Sequence, residues 1–102
     1  MPENHPFTMI LELHVRNHPG ALSHITGLFA RRAFNLDAIF CVPERERDQS
    51  VIFLQVVDEP RLPQVEKQLA RLYDVLSIRQ RPDLGCEFFA NLAAAASPVS
   101  TA

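Results

Sequence analysis

Residues 7–36 read FTMILELHVRNHPGALSHITGLFARRAFNL, and the change of period inside this stretch decides the fold. Phe7, Met9, Leu11, Leu13 and Val15 fall on one face, and Thr8, Ile10, Glu12 and His14 fall on the other. That period of two predicts a strand over 7–15. Arg16-Asn17-His18-Pro19-Gly20 then breaks the alternation. Pro19 drives His18 away from helical angles, and Gly20 permits a close backbone approach. From Ala21 the period becomes helical: Leu22, Ile25, Leu28, Phe29 and Ala33 recur, while Ser23, Thr26 and Arg31-Arg32 face outward. Gly27 costs such a helix about 1 kcal/mol relative to alanine. Close packing against a neighbouring element is the expected reason for it. Phe34-Asn35 is expected to end the helix, asparagine being tolerant of left-handed angles.

Downstream, 36–42 reads as a second strand and 43–50, with Glu44-Arg45-Glu46-Arg47-Asp48, as a solvated hairpin turn. Residues 51–57 form a nearly all-apolar third strand interrupted by Gln55. Asp58-Glu59-Pro60 is expected to open a second helix, since acidic residues suit its positive end. Leu62, Val65, Leu69 and Leu72 supply its apolar stripe. Residues 74–81 make the last strand, with Leu76 and Ile78 on one face and Val75 on the other. The order β-α-β-β-α-β over 7–81 predicts an α+β, ferredoxin-like domain. Right-handed crossovers place both helices on one face of a four-stranded antiparallel sheet. Residues 82–102 form a C-terminal tail, with a short helix over 87–96 led by Phe88, Phe89 and Leu92, and disorder beyond it. The second and third strands are apolar on both faces. Leu36, Ala38, Phe40 and Val42 oppose Ile39 and Cys41, and Val51, Phe53 and Val57 oppose Ile52, Leu54 and Val56. Two helices cover one face only, so the other is expected to be a partner surface. The alternative is that the Phe88-Phe89 segment folds back over it.

The 102 residues are 47% hydrophobic and 22% charged, which suits one core and one domain. Ten basic against twelve acidic residues weigh against a nucleic-acid binder, which needs concentrated positive charge. An RNA-recognition module would also show aromatics on the open sheet face, where Ile10, His14, Ile52 and Leu54 are expected instead. No apolar run reaches the roughly 20 residues that span a bilayer, and residues 1–6 do not read as a secretory signal. Cys41 and Cys86 lie far apart without metal-ligand spacing, which points to a reducing cytoplasm. Cys41 reads as a small hydrophobe, at the core or at an interface. Around the four histidines there is neither a nucleophile elbow nor a working carboxylate pair. His14 reads as a half-exposed strand residue, and His24 as a residue on the helix side. Arg31-Arg32 reads as a solvated helix end that complements the dipole, rather than a phosphate clamp. An acylphosphatase-like enzyme would use Arg16 and Asn35, but Pro19 occupies the loop and Arg16 precedes the turn. The sharpest feature is the loop itself. Free N–H groups near Gly20, Ala21 and Leu22 suit a carboxylate, and Asn17 can both donate and accept, as an amino-acid ligand requires.

From Ile10 to Leu36 the chain shows a strand, then Asn-x-x-Gly-Ala-Leu, then Gly-Leu-Phe-x-x-Arg and a final aromatic-Asn. This pattern resembles the small regulatory subunits of acetolactate synthase (acetohydroxyacid synthase), built on an ACT domain. The His-Pro loop and a chain that stops soon after the last strand resemble the family's short, isozyme 1-like form. The resemblance implies a subunit without chemistry of its own. It would be the regulatory component of a transferase complex that forms acetolactate from pyruvate, in branched-chain (valine, isoleucine and leucine) biosynthesis. Thiamine diphosphate, magnesium and FAD would belong to the catalytic subunit, and valine would be the feedback inhibitor. The resemblance further implies a homodimer of side-by-side ACT domains with valine between them. This nominates Asn17, His18, Pro19, Gly20, Ala21 and Leu22 of one copy, with Asn35, Leu36 and Ile39 of the other. The open sheet face and the tail become candidates for the catalytic-subunit surface. An ACT domain sensing amino acids for a different enzyme is the alternative within the same resemblance.

Overall fold

Leu11, Leu13 and Val15 share one buried layer, with Met9 packed against it, because their strand is central; Phe7 lies outside the described residues. In the computed structural model, which describes residues 8–17, 19–44, 48–85 and 87–96, β1 (Thr8–Arg16) lies between β3 (Gln49–Val57) and β4 (Val75–Gln80). β2 (Leu36–Pro43) pairs with the far side of β3, giving the antiparallel order β2-β3-β1-β4. Two helices, α1 (Ala21–Arg31) and α2 (Leu62–Ala70), complete the ferredoxin-like βαββαβ unit. A third, α3 (Glu87–Ala96), follows. The register sets Leu11 opposite Leu54 and Leu13 opposite Ile52. Against this face pack Ile25, Leu28 and Phe29 of α1 and Leu62, Val65 and Leu69 of α2, all buried.

Several local expectations fail, each for a physical reason. α1 ends at Arg31, and the left-handed residue after it is Ala33 (φ 52°) rather than Asn35. The Phe34 N–H bonds the Phe29 carbonyl at 3.0 Å, and the Ala33 N–H bonds that of Ala30 at 3.1 Å. This double closure is sealed by the Phe29 and Phe34 rings, edge to face at 5.9 Å. A hydrophobic contact thus sets the helix end. Leu22 and Ala33, expected in the core stripe, are exposed, and Ala21 and Phe34 are buried in their place. α2 starts at Leu62, with proline in its first turn, and not at 58–60. A Cβ on Gly27 would meet only Arg31 Nη1, at 3.3 Å, so no neighbouring element approaches it closely. Of the two places read for Cys41, its exposure removes the core and leaves the interface.

The remaining corrections are shifts of register. An irregularity between Leu36 and Ala38 puts Leu36 opposite Val56, on the same side as Ile39 and Cys41. A second, between His14 and Val15, turns Val75 inward with Ile78 and leaves Leu76 out. On β3 the buried residues are Ser50, Ile52, Leu54 and Val56. The open face therefore carries Val51, Phe53 and Gln55 beside Ile10 and His14, and not Ile52 and Leu54. The tail does fold back across this face: Phe88 of α3 lies 5.1 Å from Phe53, ring to ring, and stacks edge-on with Phe89.

Candidate functional site

The loop from β1 into α1 is shaped by Gly20. Its φ of 98° is left-handed, and it forms the N-cap of α1 without a side-chain capping bond. No acidic residue occupies the first helical turn. The positive end of the helix is therefore capped neither by a side-chain oxygen nor by a first-turn carboxylate, the condition under which an external carboxylate is best held. The chain on either side is pinned by main-chain bonds. The Arg16 N–H donates to the Asp74 carbonyl at 2.8 Å, the Asn17 N–H to that of Asp48 at 3.0 Å, and the His24 N–H to that of Gly20 at 2.9 Å. Arg16 also donates from Nε to the Tyr73 carbonyl at 3.1 Å and lies over the Tyr73 ring. Asn17, Pro19, Gly20 and Leu22 are exposed at this end, and Ala21 is buried beneath them. His18 lies outside the described residues.

One residue that the sequence reading set aside belongs here. The ring of His24 lies 3.9 Å from where a Cβ on Gly20 would stand. Its Nδ1 is 2.5 Å from Oδ2 of the buried Asp74. The spacing of four residues from Gly20 to His24, one helical turn, was the available signal. The burial of Asp74 had none.

Asn35, Leu36 and Ile39 lie at the other end of α1. Eleven helical residues span about 16 Å, so a single chain does not bring the two sets together. Asn35 and Ile39 are exposed, and Leu36 packs partly against the core.

The open face holds a separate polar cluster. Glu12 is only 7% exposed, so its carboxylate needs partners. It faces His14 Nε2 at 2.6 Å, Arg81 Nη1 at 2.5 Å and Arg79 Nη2 at 3.2 Å. Burial pushes its pKa up, but the hydrogen bonds from His14, Arg81 and Arg79 outweigh that and hold it at about 2. His14 is raised above its usual value, chiefly by the Glu12 bond, against burial and with help from Glu44 at 2.9 Å. Beside this cluster, an apolar groove of about 520 Å³ runs between β2, β3 and α3, with Phe40, Phe89 and Leu92 on its walls. Among the described residues no cluster of three or more His, Cys, Asp or Glu could hold a metal ion, and no helix is long and apolar enough to cross a membrane.

The AHAS small subunit-like ACT domain family matches residues 11–77. The acetolactate synthase isozyme 1 small subunit of Escherichia coli (strain K12) is 50% identical over 72 residues, covering 71% of this chain and 75% of that protein. The isozyme 3 small subunit of the same strain is 39% identical over 72 residues, which cover 70% of this chain and 44% of that one. Among solved structures, the acetolactate synthase small subunit from Thermotoga maritima superposes with a TM-score of 0.66 at 27% identity. The match covers 74% of this chain and 48% of that one.

Proposed function

This chain belongs to the AHAS small subunit-like ACT domain family, and from that premise we propose that it is the regulatory subunit of an acetolactate synthase, binding the catalytic subunit and conferring feedback inhibition by valine. The observation that carries this reading is the division of the nominated residues between the two ends of α1, with β2 at the sheet edge. β1 and β2 both run antiparallel to β3, hence parallel to each other. A second copy pairing antiparallel along the free edge of β2 brings its own Asn35 and Leu36 to the end of the sheet where the Gly20 loop lies. The valine site is then completed across a homodimer.

The chemistry follows from what each part offers. The first-turn N–H groups of α1 take the carboxylate. The Asn17 side chain or a loop carbonyl takes the ammonium. Exposed Leu22 and Ile39 offer apolar surface for the isopropyl group. One methylene more or less changes the affinity of such a niche by only about 1–3 kcal/mol, so leucine, isoleucine and alanine are disfavoured by modest factors. Inhibition arises where valine binds one arrangement of the complex better than another. Thiamine diphosphate, magnesium and FAD sit on the catalytic subunit, and the complex works in the cytoplasm.

Thermal unfolding of the chain against a panel of amino acids tests this. A ligand at about 100 times its dissociation constant stabilises by about 2.7 kcal/mol, and each kcal/mol moves Tm by roughly 4–8 °C at this size. A clear rise with valine, smaller with leucine or isoleucine and absent with aspartate, is the expected result. Gly20→Asp places a carboxylate where the ligand's own must sit and should abolish the shift. A full valine response in that variant would remove the loop from the site. Absence of any shift, together with a catalytic complex insensitive to valine, would overturn the effector reading.

A further inference from the structure

We propose that the arginine-lined pocket between the C-terminal end of α1 and the start of α2 binds a small phosphate-bearing anion. The sequence offered only Arg31 and Arg32 at a helix end. The fold adds Arg61, the N-cap of α2, and the three surround a cavity of about 370 Å³. That volume is in the range of small-molecule sites. The rest of the lining is the side chains of Gln64 and Gln68 and the buried Val65, with no carboxylate among them.

Two of the three guanidinium groups are positioned, Arg61 by two main-chain carbonyls and both Glu59 oxygens, and Arg32 by a neutral amide. Arg61 donates from Nη1 to the Arg32 carbonyl at 3.0 Å and from Nη2 to that of Ala33 at 3.4 Å. It also pairs with Glu59 at 2.9 Å and lies over the Phe34 ring. Arg32 donates from Nε to Gln68 Oε1 at 2.6 Å. The Arg31 guanidinium makes no hydrogen bond or ion pair among the described residues. Glu59 therefore offsets one of the three charges, and the other two line the cavity without a counter-charge among the described residues. The negative end of the α1 dipole favours cations there. The carbonyls of Leu28, Phe29 and Ala30 in its last turn already accept main-chain N–H groups, and Arg61 takes those of Arg32 and Ala33 just beyond, so capping does not call for three arginines. Planar guanidinium forks match phosphate oxygens in pairs, and a multiply charged anion relieves the mutual repulsion that a single carboxylate would leave. The pocket is at the opposite end of α1 from the Gly20 loop, and the proposal does not rest on the valine reading.

Calorimetric titration of the full chain with inorganic pyrophosphate at constant ionic strength tests the proposal. Saturable binding is expected, weakened about tenfold by Arg31→Ala through the loss of a charge-assisted bond. Arg71→Ala, at the far end of α2, should change it by about twofold at most, as screened charge does. Because the Arg31 guanidinium has no partner to lose among the described residues, its variant should melt as the parent does. No binding at millimolar pyrophosphate, or equal effects of the two variants, would overturn the proposal. Loss of catalytic-subunit activation in Arg31→Ala without any pyrophosphate binding would also overturn it, in favour of an acidic docking partner.

Discussion

Both ring nitrogens of His14 face carboxylate oxygens, Glu12 at 2.6 Å and Glu44 at 2.9 Å. A neutral imidazole donates from one nitrogen only, so this geometry fits the imidazolium. The raised pKa means that the folded chain holds the proton more tightly than the unfolded one. His14 therefore stabilises fully below its ordinary value of 6.5, and the contribution is lost as pH rises through the raised value. Glu12 and Asp83 act in the opposite sense. Each is held at about 2, Asp83 by the Arg81 bond, so their contributions are full above 4.5 and 3.8 and vanish on acidification. Unfolding free energy from urea titrations should peak between pH 4.5 and 6.5. His14→Gln should flatten the alkaline decline and weaken the acid limb without abolishing it, since Arg81 and Arg79 still hold Glu12 and Arg81 holds Asp83; an unchanged alkaline limb would reject the linkage. The position of His14 on a half-exposed strand face was legible from alternation. Glu44, 30 residues away, was not, because only the β2–β3 register brings it there. Gly20 was legible as a turn residue but not in its cause: a Cβ there would meet only the His24 ring at 3.9 Å, so no close backbone approach calls for glycine, and the left-handed angle does.

At the scale of elements, the order and type of every segment followed from hydrophobic period. Faces and ends followed only where the ladder stayed regular. A one-residue slip moves side chains to the other side of a sheet, and two such slips misplaced Leu36, Val75 and Leu76. Nothing in a single strand announces a bulge that its neighbour imposes. α3 rests on the open face, outside the core of β1, β3, α1 and α2, with Phe88 on Phe53. An aromatic pair of this kind adds about 0.5–1.5 kcal/mol beyond its buried area. Phe88→Ala should therefore lower Tm by several degrees, on the scale of roughly 4–8 °C per kcal/mol. Deleting 82–102 should leave a cooperatively unfolding domain with its valine shift, while activation of the catalytic subunit in an acetolactate assay falls. Failure of the shortened chain to fold would make α3 part of the core and not a docking element.

For the whole molecule, half of the nominated site lies at each end of α1, so the proposed function makes ligand binding and pairing of two copies linked quantities. Valine should tighten the pair by the same factor by which pairing tightens valine. Sedimentation equilibrium at several valine concentrations measures this directly, and a pair indifferent to valine would break the link. The two rims of the sheet are also unlike. β2 presents Ile39, Cys41 and Val42 to solvent and carries Asp37 as its single charge. β4 presents Ser77, Arg79 and Gln80, with exposed Leu76 at the broken register. A copy that joins through β2 leaves only β4 rims facing outward on both sides. Their polar groups and irregular ladder discourage a further strand from adding. Under the proposed pairing, assembly by this route would close at two instead of propagating into a filament, and the misalignment at His14 and Val15 that defeats a simple reading of β4 would also act as a terminator of polymerisation.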